Sequence, residues 1–174
     1  MRMKENFVII DKETGKPYWI SRALAVATVL ISVDLFEPKK SKILLQKRGP
    51  KCPDNIGKWC FSCGYLNWGE TLKEAASREL WEETGIRVKE SDIIPWKLID
   101  DPKRDARENV VQRFIAKIYD EPQGNIDTAS RGGEEGEVSE LMWISIEEIE
   151  RMDSSEFAFN HKEVIQELIN EGRL

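Results

Sequence analysis

The chain carries one histidine and three cysteines among 174 residues, and it lacks both a long basic run and an apolar run of membrane-spanning length. With a net charge of −6 and no basic run, binding to nucleic acid through neutralised phosphates is not expected. The missing apolar run excludes a membrane-spanning helix. Residues 7–10 are apolar, but Asp11, Lys12 and Glu13 cut them off at once. That is not the build of a signal peptide, so the expected location is the cytoplasm. Cys52, Cys60 and Cys63 are an odd number, which argues against a disulfide framework. Cys60 and Cys63 have a C-x2-C spacing. A structural zinc usually needs four ligands, and nothing in the spacing recruits Cys52 and His161, so buried thiols are expected.

What is present suits one α+β domain spanning residues 1–174, with 40% apolar residues for its core. Residues 1–22 form an N-terminal extension. Its two short apolar runs, around a Thr-Gly turn, suggest a β-hairpin. Residues 23–35 read as a buried strand and residues 42–48 as an antiparallel neighbour ending in Lys47 and Arg48. A short strand is expected at 59–61, and further strands at 96–99, 109–118 and 138–144. Residues 121–136 are polar and contain glycine, as a surface loop does. Ser145 and Glu148 have the spacing of a capping box, a helix start in which side chain and backbone bond reciprocally. Asn160 and Glu163 open the last helix, with Val164, Ile165, Leu168 and Ile169 on one face.

The most informative stretch is residues 64–86, GYLNWGETLKEAASRELWEETGI. Thr71 and Glu74 make a capping box, and Gly85 suits a helix end in the left-handed conformation. Between them Glu79, Glu82 and Glu83 fall within a roughly 100° arc of the helix. Like charges so close repel, and Arg78 lies to the side of the arc. A hard divalent cation such as magnesium, which prefers oxygen ligands, answers the repulsion better.

Gly64, five residues, Glu70, seven residues, then Arg78-Glu79-Leu80-Trp81-Glu82-Glu83-Thr84-Gly85-Ile86 resembles, without a mismatch, the signature of the Nudix hydrolases. That resemblance implies an αβα sandwich around a mixed sheet and in-line attack of water on the pyrophosphate of a nucleoside diphosphate linked to a group X. It implies Glu79, Glu82 and Glu83 as ligands to Mg2+, with Mn2+ as a substitute, and Arg78 as the residue that orients a carboxylate. It implies that Cys63, just before the first signature glycine, gives its backbone carbonyl to the metal. Trp59-Cys60-Phe61-Ser62-Cys63-Gly64 departs from the family's usual segment, with Ser62-Cys63 in place of Pro-Gly. A further acid is expected from the loop before Trp143, where Glu137 matches the family position better than Glu134 or Glu135. A homodimer is also in keeping with the family.

The identity of X is carried by weaker resemblances to ADP-ribose pyrophosphatases. Pro102 lies sixteen residues beyond Ile86. The segment from Lys103 to Arg107 is similar to R-D-P-R, with Ala106 for proline, and Phe157 to His161 is similar to L-A-F-D-H. Arg104 and Arg107 are accordingly expected substrate-binding residues, and Arg48, at the basic end of its strand, is expected to contact substrate phosphate or base. Triphosphates, NADH and dinucleoside polyphosphates are the alternative substrates, and an ADP-ribose sensor without turnover is the alternative function.

Overall fold

The computed structural model describes residues 6–104 and 107–173. Strands β1 (Phe7–Ile10) and β2 (Pro17–Ile20) pair antiparallel in a two-stranded sheet of their own. Asp11 closes their turn by accepting from the Glu13 and Thr14 amides at 2.9 and 2.8 Å. The hairpin meets the body where Tyr18 packs edge-on against Trp68 at 5.7 Å.

The main sheet contains β3 (Leu24–Ser32), β4 (Lys42–Arg48), β5 (Trp59–Cys60), β6 (Ser62–Tyr65), β7 (Ile93–Ile99), β8 (Val110–Ile118) and β9 (Val138–Ser145). It is mixed, because β3 runs parallel to β8 while the other pairs are antiparallel. Successive strand residues face opposite sides, and both faces are buried. Val26 and Leu30 of β3 join Phe114 and Ala116 of β8 under helix α1 (Leu72–Thr84), against Ala75, Ala76 and Leu80. Val29, Ile31 and Ile115 face the other way, against Ile146 and Ile149 of α2 (Ile146–Arg151) and Val164, Ile165 and Leu168 of α3 (His161–Asn170). The layers are the αβα sandwich expected from the sequence.

Three local details differ from expectation. The strand expected at 59–61 is two strands, because the chain leaves β4 after Cys60 and joins β3 at Ser62. Phe61 at that crossing turns into the core. The strand expected at 96–99 begins at Ile93, and the register shift between Pro95 and Lys97 absorbs the proline's missing donor. Asn160 precedes α3 in the left-handed conformation, φ 56°, and makes no side-chain cap.

Candidate active site

Helix α1 carries the carboxylates, and its ends are fixed locally. The Thr71 side chain accepts from the Glu74 amide while the Glu74 side chain accepts from the Thr71 amide, and Gly85 closes the helix at φ 72°. The helix then presents Arg78, Glu79, Glu82 and Glu83 in consecutive turns. Although Arg78 starts at the edge of the acidic arc, its head reaches into it. One Nη1 donates to Glu79 Oε1 at 2.7 Å and to Glu82 Oε2 at 2.9 Å. Nε and Nη2 clasp Glu70 at 2.9 and 2.7 Å, and Nη2 also donates to the Tyr65 carbonyl at 3.0 Å. Glu70 accepts from the Asn67 amide, which ties the preceding loop to the same guanidinium. A planar fork can do this where a lysine cannot.

Glu83 is buried and accepts from the Cys63 amide at 2.9 Å. The structure thus joins Cys63 to the cluster through its N–H. Burial drives the Glu83 carboxyl well above the usual carboxylate range, and the neighbouring Cys63 and Glu79 push it further. Burial raises Glu79 to about 7, although Arg78 acts in the opposite direction. Gly64 is what leaves Glu79 room: a Cβ there would lie 2.1 Å from Glu79 Oε1. From the loop before β9, Glu137 is half-buried while Glu134 and Glu135 are exposed. Burial, then the nearby Glu134, raises the Glu137 carboxyl.

Among the described residues, no three His, Cys, Asp or Glu side chains stand together as a metal cage. Arg78 and the Cys63 amide hold carboxylate oxygens that a cation would otherwise draw together. The donor chemistry still fits a hard divalent ion. Glu70, Glu79 and Glu82 share one guanidinium, among the described residues Glu83 is buried without a cationic partner, and a nearby cation favours the charged form of a buried carboxylate.

Beside this cluster lies a cavity of about 510 Å³, to which Cys63, Gly64 and Glu137 contribute. Its other wall is cationic. Arg48 is buried, donates to Asp54 Oδ1 at 3.2 Å and lies 4.8 Å from the Phe159 ring centroid. Arg107 bonds the other Asp54 oxygen and lies 5.5 Å from the same ring. Arg104 lines the cavity and stands 3.9 Å from Glu167. Its segment neighbours Asp105 and Ala106 lie outside the described residues. The three arginines expected from sequence therefore share one cavity.

Sequence reasoning missed Arg113 and Asp54, and it included Phe159 in the segment from Phe157 to His161 without giving it a role. Arg113 is buried on β8 and lines the same cavity, bonded to Glu167 at 3.2 Å. Its strand also carries Gln112 and Lys117, so the local pattern did not single Arg113 out. Phe159 and Asn160 both have positive φ, 52° and 56°, and a bulky residue there is a true outlier that turns the ring toward Arg48 and Arg107. His161 is a structural residue: its Nδ1 accepts from the Phe61 amide at 3.1 Å and its ring stacks on Phe61.

The NUDIX domain model matches residues 26–168. An ADP-ribose pyrophosphatase of Methanocaldococcus jannaschii is 30% identical over 161 residues, covering 91% of this chain and 81% of that protein. A nucleoside triphosphatase NudI of Enterobacter sp. is 29% identical over 103 residues, covering 58% of this chain and 70% of that protein. Among solved structures, the NUDIX domain of Shewanella oneidensis NrtR complexed with ADP ribose superposes with a TM-score of 0.69 at 21% identity, covering 87% and 89% of the two chains. A Francisella tularensis bifunctional NMN adenylyltransferase/ADP ribose pyrophosphatase, complexed with AMP and a Mn ion, gives 0.68 at 22% identity, covering 87% of this chain and 42% of that one. A family match from residue 26 to residue 168, and a relative aligned over 91% of the chain, leave one assignment: the chain belongs to the Nudix family.

Proposed function

We propose that the chain hydrolyses the pyrophosphate link of a nucleoside diphosphate joined to a second group, with ADP-ribose as the favoured substrate. The observation that carries this reading is that an arginine-lined cavity adjoins the α1 carboxylates, through Cys63 against Glu83 and Gly64 against Glu79. A pyrophosphate is a dense anion: arginines suit its oxygens, and carboxylates suit the cation that accompanies it. The name of the M. jannaschii relative, and the ADP ribose bound to the Shewanella structure, support the choice of substrate.

Glu79, Glu82 and Glu83 would hold Mg2+, with the Cys63 carbonyl beside them, and Mn2+ suits the same oxygen donors. A bound divalent ion neutralises phosphate oxygens and lowers the pKa of a coordinated water. The chain's own residues do the rest. Arg78 keeps the Glu79 and Glu82 carboxylates side by side. The Glu137 carboxylate takes the proton from the attacking water. Arg48, Arg104 and Arg107 hold the substrate's phosphates and sugar. A cytoplasmic homodimer belongs to the same reading, favoured by the four exposed apolar residues of β1; a monomeric mass at equilibrium sedimentation would remove the dimer.

The test is a Mg2+-dependent product screen over ADP-ribose, NADH, diadenosine polyphosphates, nucleotide sugars and nucleoside triphosphates. Preference for ADP-ribose is expected. Preferential release of pyrophosphate from triphosphates would transfer the assignment to the activity for which NudI is named. Glu83→Gln is expected to abolish turnover while ADP-ribose still binds; an unchanged rate would overturn the metal assignment.

A further inference from the structure

The C-terminal end of α1 has no basic residue in its last turn. The final carbonyls of a helix lack intrahelical partners and carry partial negative charge, so a cation there is favourable. Here it arrives from far downstream. Arg131 Nε donates to the Trp81 carbonyl at 2.8 Å and to the Glu82 carbonyl at 3.2 Å. Its Nη2 donates to the Glu82 carbonyl at 3.0 Å and to the Asn125 carbonyl at 2.7 Å. The guanidinium also lies 5.6 Å from the Trp81 ring centroid, and Arg87 covers that ring at 3.8 Å.

One side chain thus ties the loop between β8 and β9 to the helix that bears the carboxylates. The loop is drawn in tightly. The Asn125 amide donates to the Thr84 carbonyl at 2.8 Å. A Cβ on Gly132 would lie 3.3 Å from Glu82 Oε1, and one on Gly133 would lie 3.6 Å from Glu82 Cβ. The attachment continues to Glu137. Thr128 is buried, its backbone carbonyl accepts from the Arg131 amide at 3.0 Å, and its hydroxyl donates to the Glu134 carbonyl. The Glu137 amide then donates to the Glu134 carbonyl at 3.3 Å.

We propose that Arg131 is a positioning residue for hydrolysis: by clasping the end of α1 it fixes the height at which Glu137 stands over Glu79, Glu82 and Glu83. It acts through the loop and touches no substrate. This rests on the pyrophosphatase reading, in which Glu137 takes the proton.

The experiment measures kcat and KM for ADP-ribose with Mg2+ in wild type, Arg131→Ala, Arg131→Lys, Glu137→Gln and the Arg131→Ala/Glu137→Gln double variant. Arg131→Ala is expected to lower kcat roughly 10- to 100-fold with KM little changed, the scale of a misplacement of about 1 Å. Arg131→Lys is expected to recover part, since an ammonium restores the charge but not the fork. The decisive arm is the double variant. Once Glu137 no longer takes a proton, loss of Arg131 is expected to cost almost nothing more. Multiplying effects, or a wild-type kcat in Arg131→Ala, would overturn the proposal. Arg87→Ala, which removes stacking on Trp81 alone, is expected to keep the wild-type kcat, and an equal loss there would also overturn it. Cleavage after the exposed Glu134 and Glu135 by a Glu-specific protease reads the anchor without catalysis. It is expected to be faster in Arg131→Ala, and equal rates overturn the anchor. A wild-type chain inactive on every nucleotide would instead sink the functional reading, leaving the cleavage rates to judge the anchor.

Discussion

At Gly64 an added methyl carbon would lie 2.1 Å from Glu79 Oε1 and 2.2 Å from the carboxylate carbon. The clash is with the end of a side chain, so Gly64→Ala can be relieved by swinging Glu79 away from Arg78. The expected outcome is a fold that melts close to wild type with kcat reduced by about 100-fold, checked by circular dichroism and steady-state kinetics. His161 gives a different test. Burial, with Arg113 and Arg48 nearby, lowers its pKa to about 3. Above the ordinary value of about 6.5 the imidazole is neutral folded or unfolded, and it contributes no pH dependence. Below that, the unfolded chain takes up a proton that the folded one refuses. Stability therefore falls as pH drops from about 6.5 toward 3, by at most about 1.4 kcal/mol per unit from this residue. Urea unfolding at pH 7 and pH 5 is expected to show a smaller acid loss in His161→Gln than in wild type. Equal losses would show that other groups dominate.

Helix α1 is the element whose stability is set most locally. Thr71→Ala removes the cap on the Glu74 amide, and about 1 kcal/mol of stability is expected to go with it, read as a lower denaturation midpoint. The folded fraction should keep most of its activity, because Arg78 still gathers the carboxylates. The same locality made this element legible in sequence: the Thr71 and Glu74 cap, the acidic arc and Gly85 all lie within one helix. The cavity wall was less so. Arg104 and Arg107 could be named because they stand in a recognisable segment, and Arg48 because it ends a strand on a basic pair. Arg113 could not, because only the pairing of β8 with β3, Ala27 opposite Arg113, puts it on the cavity side. Asp54 sits in a loop that carries no pattern, and Phe159 depends on a backbone conformation that no propensity selects. Arg78 shows a subtler gap. Its Cα lies beside the acidic arc, as helical geometry dictates, yet a long side chain lets its charge sit elsewhere.

For the molecule as a whole, a chain of net charge −6 places four of its eleven arginines, Arg48, Arg104, Arg107 and Arg113, around one cavity. An anionic substrate is then repelled by the general surface and attracted at one place, and added salt screens both effects. Attraction at short range is expected to dominate, so KM for ADP-ribose should rise with KCl while kcat stays level; a flat KM would mean the arginines are fully satisfied by Asp54 and Glu167. The parallel pairing of β3 with β8, from Leu24 opposite Val110 to Ser32 opposite Ile118, has a consequence of another kind. β3 is a nine-residue segment, LAVATVLIS, without a charge. During synthesis at about 5–20 residues per second, the ribosome finishes α1 roughly two to seven seconds before β8 is complete. Through that interval one edge of an uncharged, β-prone strand stays open to any other chain that can pair with it. The strand at the centre of the finished sheet is thus a point of exposure in the nascent one, and translation speed bears directly on the yield of soluble protein.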